Sequence, residues 1–302
     1  MTHMTHMTHM THMTHMTHMA HRDDRAEQPA GVLPARYSPR IHAAFGWYVA
    51  RLLRRKFYAL RIRRGDEALL ASLDGHAAPV VVAMNHPSWW DPITALALAR
   101  SFMPSRRGAG PMEREQLLRF SIFRRLGLFG IDPHDPQALT TMLAHMRVRF
   151  AEDHRPLFWI TAQGAFTDIR EPFRPHPGAA AVAALDDGAR MIALMVEYSF
   201  WQDQRPEIFV AAEEVRPEAR TRSGWQRALL TAAHRTAADL ATRVESRDPA
   251  AFVALFGGEG AAIHPVYDWW LRLRGRGGAI DSTKSRARAE KASAPRSGDA
   301  VR

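Results

Sequence analysis

The run Pro79-Val80-Val81-Val82-Ala83-Met84 stops abruptly at Asn85-His86-Pro87-Ser88-Trp89-Trp90-Asp91-Pro92. It reads as a short buried strand that delivers a polar loop, with a helix following near Asp91. Similar apolar runs recur at 156–161, 191–198 and 207–212, and segments of helical periodicity lie between them. Alternating strand and helix predicts an α/β fold: a mixed, largely parallel sheet flanked by helices on both faces. In such a sheet, loops at the strand C-terminal ends gather into one site.

The finer reading fills this frame. Leu60–Arg63 is a first strand turning at Gly65-Asp66, followed by a short helix over Glu67–Leu73. A helix runs from about Asp91 through Ala99, and residues 104–111, rich in Pro, Gly and Arg, form a loop. Residues 113–126 are helical and Gly127–Ile131 is a strand. Gln137–Glu152 is a helix, with Leu139, Met142, Leu143, Met146 and Phe150 at helical spacing. An Ala-rich helix covers 178–189, and Ser223 is the expected N-cap of a helix over 224–245. Asp248-Pro249 opens a shorter helix ending near Gly257-Gly258.

The chemistry lies in the His86–Asp91 pair. Histidine has an unperturbed pKa near neutrality, so it takes and returns a proton at working pH. A carboxylate bonded to one ring nitrogen fixes the tautomer and leaves the other nitrogen as base. Spacing alone is weak evidence, because His234 and Asp239 share it inside a helical segment. Five residues at about 100° each leave helical side chains roughly 140° apart, so that pair cannot meet. Pro87 and Pro92 keep the first pair's segment out of plain helix, where the chain can curl the two groups together.

Asn85-His86-x-Ser88-x-x-Asp91 after a strand resembles the first signature block of the glycerophospholipid acyltransferases, the family that includes lysophosphatidate acyltransferase. Further blocks follow in the family's order over residues 60–215. Leu126-Gly127-Leu128-Phe129-Gly130-Ile131-Asp132 resembles the second. Trp159-Ile160-Thr161-Ala162-Gln163-Gly164-Ala165-Phe166 stands where the family has Phe-Pro-Glu-Gly-Thr-Arg, and Met191–Val196 takes the place of the fourth. The resemblance implies O-acyl transfer from an acyl thioester, carried on coenzyme A or acyl carrier protein, to a hydroxyl of a lipid. It implies His86 as base and Asp91 as its orienting partner. Asn85, Ser88, Gln163, Gly164, Arg170 and Arg174 are then substrate-binding candidates, with turn capping the competing role for Ser88. No metal and no cofactor beyond the thioester co-substrate is expected.

The departures bear on the acceptor. Asp132-Pro133 ends the second block where the family has a basic residue, and Phe166 replaces the third block's arginine. A guanidinium grips phosphate bidentately, whereas phenylalanine and aspartate cannot. Arg170 and Arg174 are the nearby candidates to substitute. The resemblance therefore points to an acceptor other than lysophosphatidate, such as another lysophospholipid or a non-phosphate lipid alcohol. Its subgroup with Gln-Gly in the third block is tied to hydroxyls of carotenoids and lipid glycosides.

Outside residues 61–215, read as the acyltransferase core, the chain divides by composition. Residues 1–21 repeat Met-Thr-His six times and end in Met19-Ala20-His21, either a metal-binding tail or an expansion upstream of a start at Met19. Residues 22–39 read as a linker. Residues 40–60 form a basic amphipathic helix with Ile41, Phe45, Tyr48, Val49, Leu52, Leu53, Phe57 and Leu60 on one face. Arg51, Arg54, Arg55 and Arg61 lie on the other, and residues 40–65 hold eight Lys/Arg and no acid. Such a helix lies in a lipid interface or packs on the domain. Residues 216–276 read as a helical C-terminal extension whose Tyr267–Arg274 segment mixes aromatics with arginines, and 277–302 as a basic disordered tail.

A net charge of +10 fits an anionic membrane surface or an acyl carrier, and no nucleic-acid motif accompanies it. With no cysteine, no secretory signal and no apolar run near 18 residues, the expected location is cytoplasmic, peripheral on the inner membrane face. A serine hydrolase is disfavoured because no Gly-x-Ser-x-Gly occurs. A metal enzyme is disfavoured because His86, His134, His145, His154 and His176 lack ligand-like spacing. A lipid-binding scaffold of the same fold is the remaining alternative.

Overall fold

The computed structural model describes residues 31–258 other than His154 and Gln202. The Met-Thr-His repeat, the first half of the 22–39 linker, the Tyr267–Arg274 segment and the basic tail lie outside the described residues.

In chain order the elements are α1 (Pro39–Lys56), β1 (Ala59–Arg63), α2 (Asp66–Ser72), β2 (Val80–Met84), α3 (Asp91–Phe102) and β3 (Gly108–Glu113). Then come α4 (Arg114–Arg119), α5 (Ile122–Arg125), β4 (Leu128–Ile131), α6 (Ala138–Glu152), β5 (Leu157–Thr161) and α7 (Gly178–Ala183). The chain continues through β6 (Arg190–Ser199), β7 (Glu207–Val215), α8 (Arg222–Ser246), a 3-10 turn (Pro249–Ala251) and β8 (Phe252–Gly257). The strands form one sheet in the order β4-β3-β5-β2-β6-β7-β1-β8. From β4 to β6 all neighbours are parallel. β7 runs against β6, β1 runs with β7, and β8 runs against β1. This is the expected α/β architecture with a mixed, mostly parallel sheet.

Side-chain alternation builds two cores. Val81 and Ala83 of β2 join Met191, Ala193 and Met195 of β6 and Phe209 and Ala211 of β7 on one face, under α6, α7 and α8. Val80, Val82 and Met84 join Ile192, Leu194 and Val196 on the other, under α1, α2 and α3. Period-two strands buried on both faces must be apolar throughout, which is why β2 reads as an unbroken run.

Several boundaries differ from the sequence reading. Residues 104–111 are not all loop, because Gly108–Glu113 forms β3. Its glycines allow close approach to β5: a Cβ at Gly110 would stand 2.7 Å from the Trp159 carbonyl oxygen. The 113–126 helix is two short pieces, broken where Phe120 leaves helical backbone at φ −113°, ψ 61°. The 178–189 helix stops at Ala183, and Asp186 then closes a turn by accepting the Gly188 N–H at 2.7 Å. Thr221, not Ser223, caps α8, its hydroxyl accepting the Gly224 N–H at 3.1 Å.

The segment 248–257 is also not the expected short helix. After the 3-10 turn the chain becomes β8 and satisfies the outer edge of β1, while Trp225 and Leu229 of α8 are core residues. Leu60 and Arg61 belong to β1 rather than to the basic helix, and Arg61 is buried against Glu207. Val49 and Leu53 of α1, with Phe57 just after it, are buried in the core, so most of the expected lipid-facing stripe packs on the protein.

Candidate active site

His86 stands two residues beyond the end of β2, at the sheet edge where parallel β5 also ends. Asn85 extends the ladder with its side chain, donating from Nδ2 to the Val196 carbonyl at 2.9 Å and accepting the Val196 N–H on Oδ1 at 2.8 Å. Its amide thus acts as one more peptide group, and both ends are occupied structurally. Asp91 opens α3, where the positive helix end favours a carboxylate.

His86 and Asp91 meet. His86 Nδ1 lies 2.7 Å from Asp91 Oδ2, which also accepts the Ser88 N–H at 3.0 Å. Asp91 Oδ1 accepts the Tyr198 hydroxyl at 2.7 Å. Asp91 is 0% exposed, and a polar group so buried needs hydrogen-bond partners of this kind. Burial, reinforced by the adjacent Asp91 charge, holds the Tyr198 hydroxyl well above its ordinary range, so it remains a donor. Its single proton goes to Asp91, so Thr94 Oγ1, 3.2 Å away, donates to it in turn. The Asp91 contact places the proton on His86 Nδ1 and the lone pair on Nε2. No group among the described residues hydrogen-bonds Nε2.

A second loop, after β5, closes over the first. Ala162 N–H donates to the Met84 carbonyl at 2.9 Å and Thr167 N–H to the His86 carbonyl at 3.0 Å. Gln163 Oε1 accepts the His86 N–H at 3.2 Å, leaving its NH2 group without a partner among the described residues. Gly164 turns this loop at φ +70°, and a side chain there would crowd His176 at 3.1 Å. The loop lays Phe166 beside His86, ring centroids 4.4 Å apart, with the Phe166 ring largely exposed.

Of the candidates read from sequence, His86, Asp91, Gln163 and Gly164 come together here. Ser88 serves the turn, its Oγ accepting the Trp90 N–H at 3.2 Å, and Asn85 belongs to the ladder. Arg170 chelates Asp168 at 2.8 and 2.7 Å with its side chain 86% exposed, and it points to solvent rather than to His86. Arg174 is exposed, with no ion pair among the described residues. Tyr198 and Thr94 were not singled out from sequence. The signal for Tyr198 is register: Met84 pairs with Leu194, so Tyr198 lies as far beyond that pair as Ser88 does. The helical His234–Asp239 pair stays apart, as geometry requires: His234 bonds the Phe173 carbonyl, and Asp239 holds Arg63 and Arg243.

A cavity of about 750 Å³ lies elsewhere, between α2, β7 and α8. The last residues of β7 pair with the first of β6, so this cavity sits at the edge of the sheet opposite His86. Its Arg63 and Arg235 are neutralised by Asp66 and Glu213. Among the described residues no three His, Asp or Glu side chains cluster in a way that could hold a metal ion. Neither a protein-family model nor a curated protein matches the sequence.

Proposed function

We propose that the protein is an O-acyltransferase that moves an acyl group from a thioester, on coenzyme A or acyl carrier protein, to a hydroxyl of a lipid. The observation that carries the reading is the Asp91–His86 contact at 2.7 Å, which leaves Nε2 free at the mouth of two laced loops. In the reaction Nε2 takes the acceptor hydroxyl proton as the oxygen attacks the thioester carbonyl. The tetrahedral intermediate collapses by breaking the C–S bond, and His86 returns the proton to the leaving thiolate. Products are an ester and a free thiol.

Asp91 supports the imidazolium while it holds the proton, and such base catalysis contributes roughly 10²–10⁴-fold. Gln163, with a free NH2 group beside His86, is placed to orient the acceptor oxygen. Phe166 flanks His86 with an apolar ring, which favours a lipid alcohol without phosphate at the reacting hydroxyl over lysophosphatidate. Among the described residues no helix is long and apolar enough to cross a membrane.

The test is thiol release from acyl-coenzyme A and from acyl carrier protein, with and without a total lipid extract. Lipid-dependent release with one donor supports the reading and names the carrier. No release with either donor overturns it in favour of a lipid-binding scaffold.

A further inference from the structure

With Val49 and Leu53 turned into the core, α1 leaves another stripe to solvent. That stripe carries Trp47, 67% exposed, and Tyr48, 51% exposed, between Arg40 at one end and Arg51 and Arg55 at the other. A water-facing helix stripe ordinarily mixes both signs of charge, yet α1 contains no acid. The aromatic surface continues past α1 through ring contacts: Tyr48 to Phe45 at 5.9 Å, Phe45 to Phe123 at 6.4 Å, and Phe123 to Phe120 at 6.4 Å. On α4, α5 and the break between them it exposes Leu118, Phe120 and Ile122.

Arg114, Arg119 and Arg125 stand on the same two helices. None of these six arginines has an ion pair among the described residues.

We infer that this surface of α1, α4 and α5 seats the protein on an anionic lipid bilayer. Exposed Trp and Tyr belong at the headgroup level, where the ring is apolar and its polar tip stays wet. Unpaired guanidiniums answer lipid phosphates, and each cation near an anionic surface raises affinity roughly fivefold. The contact is shallow, made by side chains on the outside of a folded domain. Just past α1, Phe57 packs edge-on against Trp90 at 5.0 Å, so the seat leads to the loop that bears His86. The surface thus deepens the acyltransferase reading by giving it a route to a lipid acceptor. Vesicle binding needs no turnover, so the two fail separately.

The experiment is flotation of the full chain with vesicles of phosphatidylcholine alone or mixed with phosphatidylglycerol, without acyl donor. Wild type should favour the anionic vesicles by at least about tenfold. Trp47→Ser/Tyr48→Ser/Phe120→Ser and, separately, Arg51→Glu/Arg55→Glu should each lose about tenfold or more with unchanged melting temperature, since these positions are exposed. Leu230→Ser, exposed on α8 across the sheet from α1, should bind as wild type does. The inference is overturned if wild type does not bind, if the surface variants bind like it, or if only the Leu230 variant loses binding. A protein that binds vesicles but transfers no acyl group keeps the seat and loses the enzyme; one that transfers but ignores vesicles does the reverse.

Discussion

Asp91 has no exposed surface, and three donors aim at its two oxygens, so its charge and its position are held together. Asp91→Asn keeps the shape but presents an amide that no longer fixes the His86 tautomer. Acyl transfer should then fall by about a thousandfold or more, with the circular dichroism spectrum unchanged. Tyr198→Phe removes one donor and leaves the ring packed on Phe57. It should lower kcat by roughly tenfold and shift the acid limb of the rate profile with little change in KM, because the hydroxyl acts through Asp91 and not on substrate. An unaltered profile in Tyr198→Phe would mean that Ser88 N–H and His86 alone position the carboxylate. His86 and Asp91 were legible because one loop carries both. Tyr198 was not, since it reaches Asp91 from 107 residues away. Sequence proximity gave Arg170 undue weight, because Asp168 captures it first.

Elements were legible where the pattern was long or strict. β2, β6 and β7 follow period two on both faces, and α6 keeps Met142 and Met146 inward at helical spacing. Short segments rich in Gly or Asp misled, because close packing rather than propensity decides β3, and an Asp186 turn ends α7 early. On α6, His145 is buried against Phe129, ring centroids 4.4 Å apart, and burial pushes its pKa down to about 4, with Arg149 adding to the effect. The unfolded chain thus binds a proton at His145 below about pH 6.5 that the folded chain refuses until about pH 4. The stability supplied by neutral His145 is therefore complete above that range and is lost as pH falls through it. Between pH 7 and pH 5 the loss should be about 2 kcal/mol, several degrees in melting temperature. His145→Leu should show a correspondingly smaller drop over the same interval in parallel thermal melts. Equal drops in the two proteins would show that His145 protonates in the folded state without penalty.

At the scale of the whole molecule, strand order was beyond sequence reading, because it depends on contacts between distant segments. The antiparallel turn from β6 to β7 lets β1 and β8 add to the sheet beyond it, so the N-terminal strand lies between β7 and the last described strand. Arg61 of β1 and Glu207 of β7 join this addition as a buried ion pair, with Arg61 over the Trp201 ring at 5.1 Å. Arg61→Leu strands a buried carboxylate and should cost about 3 kcal/mol or more in chemical denaturation, much of it recovered in Arg61→Leu/Glu207→Leu. If the double variant is no more stable than the single, the pair's charge complementarity is not what holds this edge. The same sheet brings the ends of β2, β5 and β6 to one edge and makes the site, so the central claim rests on chemistry at His86. The measurement is transfer of a labelled acyl group from coenzyme A or acyl carrier protein to a total lipid extract, comparing wild type with a folded His86→Ala. A labelled ester formed by wild type and absent with His86→Ala is the predicted result, and its mass names the acceptor. Equal labelling by both proteins, or none by either with both donors, contradicts the account.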